Sequence, residues 1–78
     1  MASKRIVSNL KAVAVSRNQT AMTNLARRAR VSEQAVRALW HGYARRVDLH
    51  VLARLCEYLQ CSITDILRLE DADEHDRA

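Results

Sequence analysis

The chain has 78 residues, enough for one domain with one small hydrophobic core. It is 49% hydrophobic yet contains no Phe, no Pro and one glycine, Gly42; a multi-stranded barrel or sandwich needs more turn residues than that. The formal net charge of +4 hides an asymmetry, because residues 1–69 carry 12 Lys/Arg against Glu33, Asp48, Glu57 and Asp65, while residues 70–78 carry five acids against Arg77.

Alanine, leucine and arginine favour helix, and the hydrophobic spacing predicts five helices and an all-α fold. The first runs from about Arg5 to Arg17, with Ile6, Leu10, Val13 and Ala14 at helical spacing and Ser3 as a candidate cap. Asn18, Gln19 and Thr20 interrupt it, and Thr20 is the candidate N-cap of a second helix over 21–29. That helix turns Met22, Leu25, Ala26 and Ala29 inward. Arg30 and Val31 make a short turn. Ser32 caps a third helix from Glu33 to about His41, with Val36 and Leu39 as its inward pair and Gly42 just past its end.

Residues 42–47 form a basic loop, and Asp48 caps a fourth helix through about Gln60. Its apolar residues fall in two adjacent stripes, Leu49, Leu52, Cys56 and Leu59 beside Val51, Leu55 and Tyr58. Ser62, with Asp65 three residues on, opens a fifth helix to about Leu69 that carries Ile63, Ile66 and Leu67. From Glu70 the chain has too little apolar surface to offset its ordering entropy. The expected division is a folded unit over 1–69 and a disordered acidic tail over 70–78.

Residues 22–39 carry the functional signal. Two short helices joined by a tight turn need a small residue where they cross, an apolar plug in the turn, and an apolar pair from the second helix. Ala26, Val31, and Val36 with Leu39 meet those needs. This is a helix-turn-helix pattern, whose second helix is presented to the DNA major groove. The run Leu25-Ala26-Arg27-Arg28, then Val31-Ser32, Val36, Leu39 and Gly42, continues into Arg46-Val47-Asp48-Leu49, Leu52-Ala53-Arg54-Leu55-Cys56 and Cys61-Ser62. In that order and spacing, the stretch from about Ile6 to Leu69 resembles the Xre/Cro-type helix-turn-helix family of bacterial and phage repressors. It departs from the family at Met22, where Gln is usual, at Arg30, where Gly is usual, and at Trp40, where an acid is common. A left-handed Arg30 costs about 1 kcal/mol relative to glycine.

The resemblance implies a compact five-helix bundle of the lambda-repressor-like type, with helix 33–41 as the recognition helix. The groove-facing residues it implies are Glu33, Gln34, Arg37 and Ala38. Ser32, Arg45 and Arg46 would hold phosphates, with His41, Tyr43, Arg17 and Lys11 as weaker candidates. Helical geometry agrees independently, since Glu33, Gln34 and Arg37 lie opposite the inward Val36 and Leu39. Gln34 suits adenine, Arg37 suits guanine O6/N7, and Glu33 can accept from cytosine N4. Ser32 sits at a helix N-terminus, where hydroxyl and backbone N–H favour phosphate.

The basic body suits a polyanion, with double-stranded DNA as the expected partner. An anionic membrane surface fits poorly, because the first three helices need their apolar faces for the core. No apolar run reaches membrane-spanning length and no signal peptide is evident. Cys56 and Cys61 make at most one bridge, so the cytoplasm is the expected compartment. These cysteines and His50 lack the spacing of a zinc site, and small buried hydrophobes are the simpler reading. Arg27 and Arg28 read as a solvated face, and Trp40 as a packed helix-end aromatic. Neither a nucleophile–base pair nor a phosphate-cradling glycine loop is present, so no enzyme activity, metal or cofactor is expected.

Two or three base contacts, each worth about 1–3 kcal/mol, discriminate poorly against a genome of competing sites. A homodimer on an inverted repeat is therefore expected, using Val51, Tyr58, Leu67 and Leu69 at its interface. The expected function is a sequence-specific transcriptional regulator, a repressor rather than an activator. The alternative is an antitoxin or protein-binding adaptor whose acidic tail docks on a basic partner or folds back over the DNA face.

Overall fold

The computed structural model describes residues 3–72. Its elements in order are β1 (Ser3–Ser8), α1 (Leu10–Ser16), α2 (Met22–Ala29), α3 (Glu33–His41), α4 (Leu49–Leu59), α5 (Ile63–Ile66) and β2 (Leu67–Ala72). The middle of the chain follows the sequence expectations closely. Ser32 caps α3 by accepting from the Ala35 N–H at 3.1 Å, and Asp48 caps α4 by accepting from the His50 N–H at 2.7 Å. At α5 the Asp65 carboxylate accepts the Ser62 N–H at 2.9 Å, a carboxylate compensating a free backbone donor in the first turn.

The two ends correct the all-α expectation. Residues 5–8 are not the first turn of a helix, and Ser3 opens a strand instead of a helix. They belong to β1, which pairs antiparallel with β2 in the register Ser3↔Ala72 through Ser8↔Leu67. The expected fifth helix stops at Ile66, and Glu70 and Asp71, assigned to a disordered tail, lie in β2. The remaining tail residues, 73–78, lie outside the described residues. β-branched Ile6 and Val7 suit a strand, Leu67-Arg68-Leu69-Glu70 alternates with period two, and Lys4 forms an ion pair with Asp71 across the ribbon. A smaller correction falls at α2, where Ala21 rather than Thr20 takes the N-cap position without a side-chain bond.

One core holds the helices together. It comprises Leu10 and Ala14 of α1, Leu25, Ala26 and Ala29 of α2, Val36 and Leu39 of α3, Leu52, Leu55 and Leu59 of α4, and Ile66 of α5. Trp40, Val31, Val51, Tyr58, Cys56, Cys61 and Leu67 pack around it. Leu49, expected in one of the two apolar stripes of α4, stands at the helix start and is 79% exposed. The ribbon is anchored to this core at its inner end. The Ser8 hydroxyl donates to the Leu39 carbonyl at 2.6 Å, and the Asn9 N–H donates to the Ile66 carbonyl at 2.6 Å. No helix among the described residues is long and apolar enough to cross a membrane.

Three helices end in left-handed residues: Arg30 after α2 (φ 63°), Gly42 after α3 (φ 82°) and Gln60 after α4 (φ 57°). A Cβ at Gly42 would meet nothing within 4 Å, so the cost of a side chain there is purely conformational. Gly42→Ala is expected to destabilise the fold by about 1 kcal/mol and Arg30→Gly to stabilise it by a similar amount, measured by urea denaturation. An unchanged midpoint in both would contradict the left-handed assignments.

Candidate nucleic-acid interface

The α2–turn–α3 unit is closed by short backbone bonds. The Arg30 N–H donates to the Arg27 carbonyl at 3.2 Å and the Val31 N–H to the Ala26 carbonyl at 3.0 Å. This left-handed closure reverses the chain and lets α3 cross α2 over small Ala26. Val36 and Leu39 are buried beneath α3, while Gln34, Arg37 and His41 are exposed along it and Glu33 and Ala38 are half-buried. The spacing therefore presents Gln34 and Arg37 on the outer face.

Glu33 has a different setting from its neighbours. Its carboxylate accepts from the Thr23 hydroxyl of α2 at 3.1 Å and forms an ion pair with Arg37 one turn along α3. The acid thus links the two helices and orients the Arg37 guanidinium. Thr23 was not singled out from the sequence, since its partner lies on the next helix and leaves no local trace.

Beyond α3 the chain turns at Gly42 into the loop that carries Tyr43, Arg45 and Arg46, all exposed. The His41 and Tyr43 rings lie parallel, with centroids 6.4 Å apart. Arg45 and Arg46 take part in none of the ion pairs among the described residues, so their charge is available to an outside anion. Ser32, at the start of α3, is exposed, but its hydroxyl is occupied in capping.

Arg17 is set apart from this group. Its Nε donates to the Leu59 carbonyl at 2.6 Å and its terminal nitrogen approaches the Gln60 carbonyl at 3.5 Å. The guanidinium is committed to the C-terminal carbonyls of α4, where a cation satisfies unpaired acceptors. Of the dimer candidates, Val51, Tyr58 and Leu67 pack on the core, whereas Leu69 is 62% exposed.

Cys56 and Cys61 are both half-buried. The Cys61 N–H donates to the Cys56 carbonyl at 3.1 Å. Burial first, then the adjacent Cys56 thiol, pushes the Cys61 thiol up from 9.0 to about 11, so it stays protonated at neutral pH. Among the described residues no three His, Cys, Asp or Glu side chains converge as a metal site requires.

Neither a curated protein nor a solved structure matches the chain. The family model of the Cro/C1-type HTH DNA-binding domain matches residues 9–72, a span that takes in all five helices and β2. With the helix-turn-helix closed as described and its outer helix open, the chain belongs to the Cro/C1-type helix-turn-helix DNA-binding domain family.

Proposed function

We propose that this DNA-binding regulator is a cytoplasmic repressor that reads a specific double-stranded sequence with α3 in the major groove. The observation that carries the reading is the exposed Gln34–Arg37 face of α3, opposite buried Val36 and Leu39 and flanked by the open arginines of the following loop. Gln34 offers the bidentate donor–acceptor pair that matches adenine, and Arg37 the fork that matches guanine. Ala38 lends a small apolar surface for a thymine methyl. Glu33 acts chiefly by aiming Arg37, although its carboxylate can still accept from cytosine.

Arg45 and Arg46 hold phosphates and fix the protein on the duplex, with Ser32, His41 and Tyr43 beside them. Arg17 has no part in this set, because its guanidinium caps α4. One such helix reads too few bases to find a site in a genome. Two copies on an inverted repeat roughly double the sequence-reading free energy.

Selection of bound duplexes from a random pool tests the whole reading. A palindromic consensus is expected, and absence of any enriched sequence would overturn it. On the selected site, Gln34→Ala is expected to cut discrimination at one base pair per half-site by about 1–3 kcal/mol, leaving binding to random DNA unchanged. Competition titrations with single-base variants measure it.

A further inference from the structure

The end of α3, the loop that follows it and the inner end of the ribbon border a hollow of about 220 Å³. Its walls are largely apolar: Leu39 of α3, Ala44 and Val47 of the loop, Ile6 of β1 and Leu67 of β2. Ser8 stands opposite Leu67 in the ribbon, and Ile6 lies two residues before Ser8. These three side chains therefore share the ribbon face that borders the hollow. Two neutral polar groups at the rim are already engaged. The Ser8 hydroxyl donates to the Leu39 carbonyl at 2.6 Å, and the Gly42 N–H donates to the Ala38 carbonyl at 3.0 Å. Arg45 also lines the hollow, is exposed, and takes part in none of the ion pairs among the described residues.

We propose that this hollow binds a small apolar monocarboxylate whose carboxylate pairs with Arg45, and that the bound molecule withdraws Arg45 from DNA. This rests on the reading of Arg45 as a phosphate contact and adds a ligand that opposes it. Water between such walls finds few partners, so an apolar body that replaces it is favoured. The volume lies below the roughly 300–1,000 Å³ of sites for drug-sized ligands, which selects a single ring or a short chain. The guanidinium fork matches a carboxylate through two parallel hydrogen bonds, whereas a neutral molecule finds no free donor in Ser8 or Gly42. A phosphate of the duplex and a carboxylate in the hollow compete for one guanidinium. Arg46, next along the loop, is not among the walls and stays available to the duplex.

Benzoate is the probe, with neutral benzyl alcohol and acetate as its two halves. Each is titrated into the isotopically labelled full chain at constant ionic strength and followed by NMR. Benzoate is expected to produce saturable shifts of the Ile6, Leu39, Val47 and Leu67 methyl groups, with a Kd on the order of 1 mM. Benzyl alcohol should bind about fivefold more weakly, and acetate should not saturate the shifts. Arg45→Ala should bring benzoate down to the level of benzyl alcohol, and Arg46→Ala should not. Ala44→Leu, which fills the hollow, should abolish binding of both aromatics with unchanged circular dichroism.

On the selected duplex, about 10 mM benzoate is expected to weaken binding about tenfold for each copy bound, relative to the same concentration of acetate. It should have no effect on Ala44→Leu. Benzyl alcohol that binds as tightly as benzoate, or methyl shifts that never saturate, would overturn the carboxylate site. Benzoate that fills the hollow without weakening DNA binding would overturn the withdrawal of Arg45. A chain that binds no duplex would end the DNA reading and the withdrawal with it, while the titration still decides the site.

Discussion

Leu55→Ala is expected to remove about 2–5 kcal/mol of unfolding free energy, the usual cost of a large-to-small change at a fully buried leucine. Leu55 is 0% exposed on α4 and belongs to a core drawn from all five helices. A domain of this size holds only about 4–12 kcal/mol in total, so the variant loses a large fraction of its stability. Leu49→Ala, on the same helix at 79% exposure, is the internal control and should shift stability by no more than about 0.5 kcal/mol. Urea denaturation followed by circular dichroism separates the two. Equal losses at both positions would mean that α4 does not pack as described.

The second large effect concerns DNA. The Arg45→Ala/Arg46→Ala double variant is expected to weaken binding to every sequence alike, by about a hundredfold near physiological salt. Both guanidiniums are exposed, outside the ion pairs among the described residues, and beside the C-terminus of α3. Each phosphate contact contributes about 0.9 to the slope of log affinity against log salt, so the slope should fall by about 1.8 for each copy bound and about 3.6 for two copies on an inverted repeat. Uniform weakening contrasts with Gln34→Ala, whose effect should be confined to one base pair in each half-site. A salt slope that does not move would remove the loop from the interface.

The central helices were legible because their signals are local. Ser32, Asp48 and Gly42 bracket α3 and α4 in the sequence and do so in the fold, and the three-residue spacing of Val36 and Leu39 orients α3 without further information. The ribbon was not legible by the same means. Leu, Arg and Glu are good helix formers, and the helical pattern from Ile6 to Leu10 competes with the strand alternative until β2 is known. Two signals did exist: the alternation Leu67-Arg68-Leu69-Glu70, and basic Lys4 and Arg5 at one end of the chain against acidic Glu70 and Asp71 at the other.

The candidate interface divides along the same line. Helical spacing gave the outer face of α3, and a loop rich in arginine is conspicuous in any sequence. What spacing left open is which side chains are already engaged. Arg17 and Arg45 look alike as sequence, yet one caps α4 and the other is open. Glu33 reads from the sequence as a base contact alone, and its tie to the Thr23 hydroxyl of α2 shows only in the fold.

The pairing of the two chain ends also orders the events of folding. Contacts among α1 to α4 join neighbouring segments and can form early, whereas Lys4 and Asp71 meet across 67 residues. Closing so long a loop is entropically uphill until the helices have brought its ends together. The ribbon is therefore expected to close last and open first, which hydrogen exchange at its amides would show as weaker protection than in the helical core. Since a lone two-stranded ribbon is only marginally stable in water, this chain keeps its most labile element at the place where Ser8 touches the end of α3.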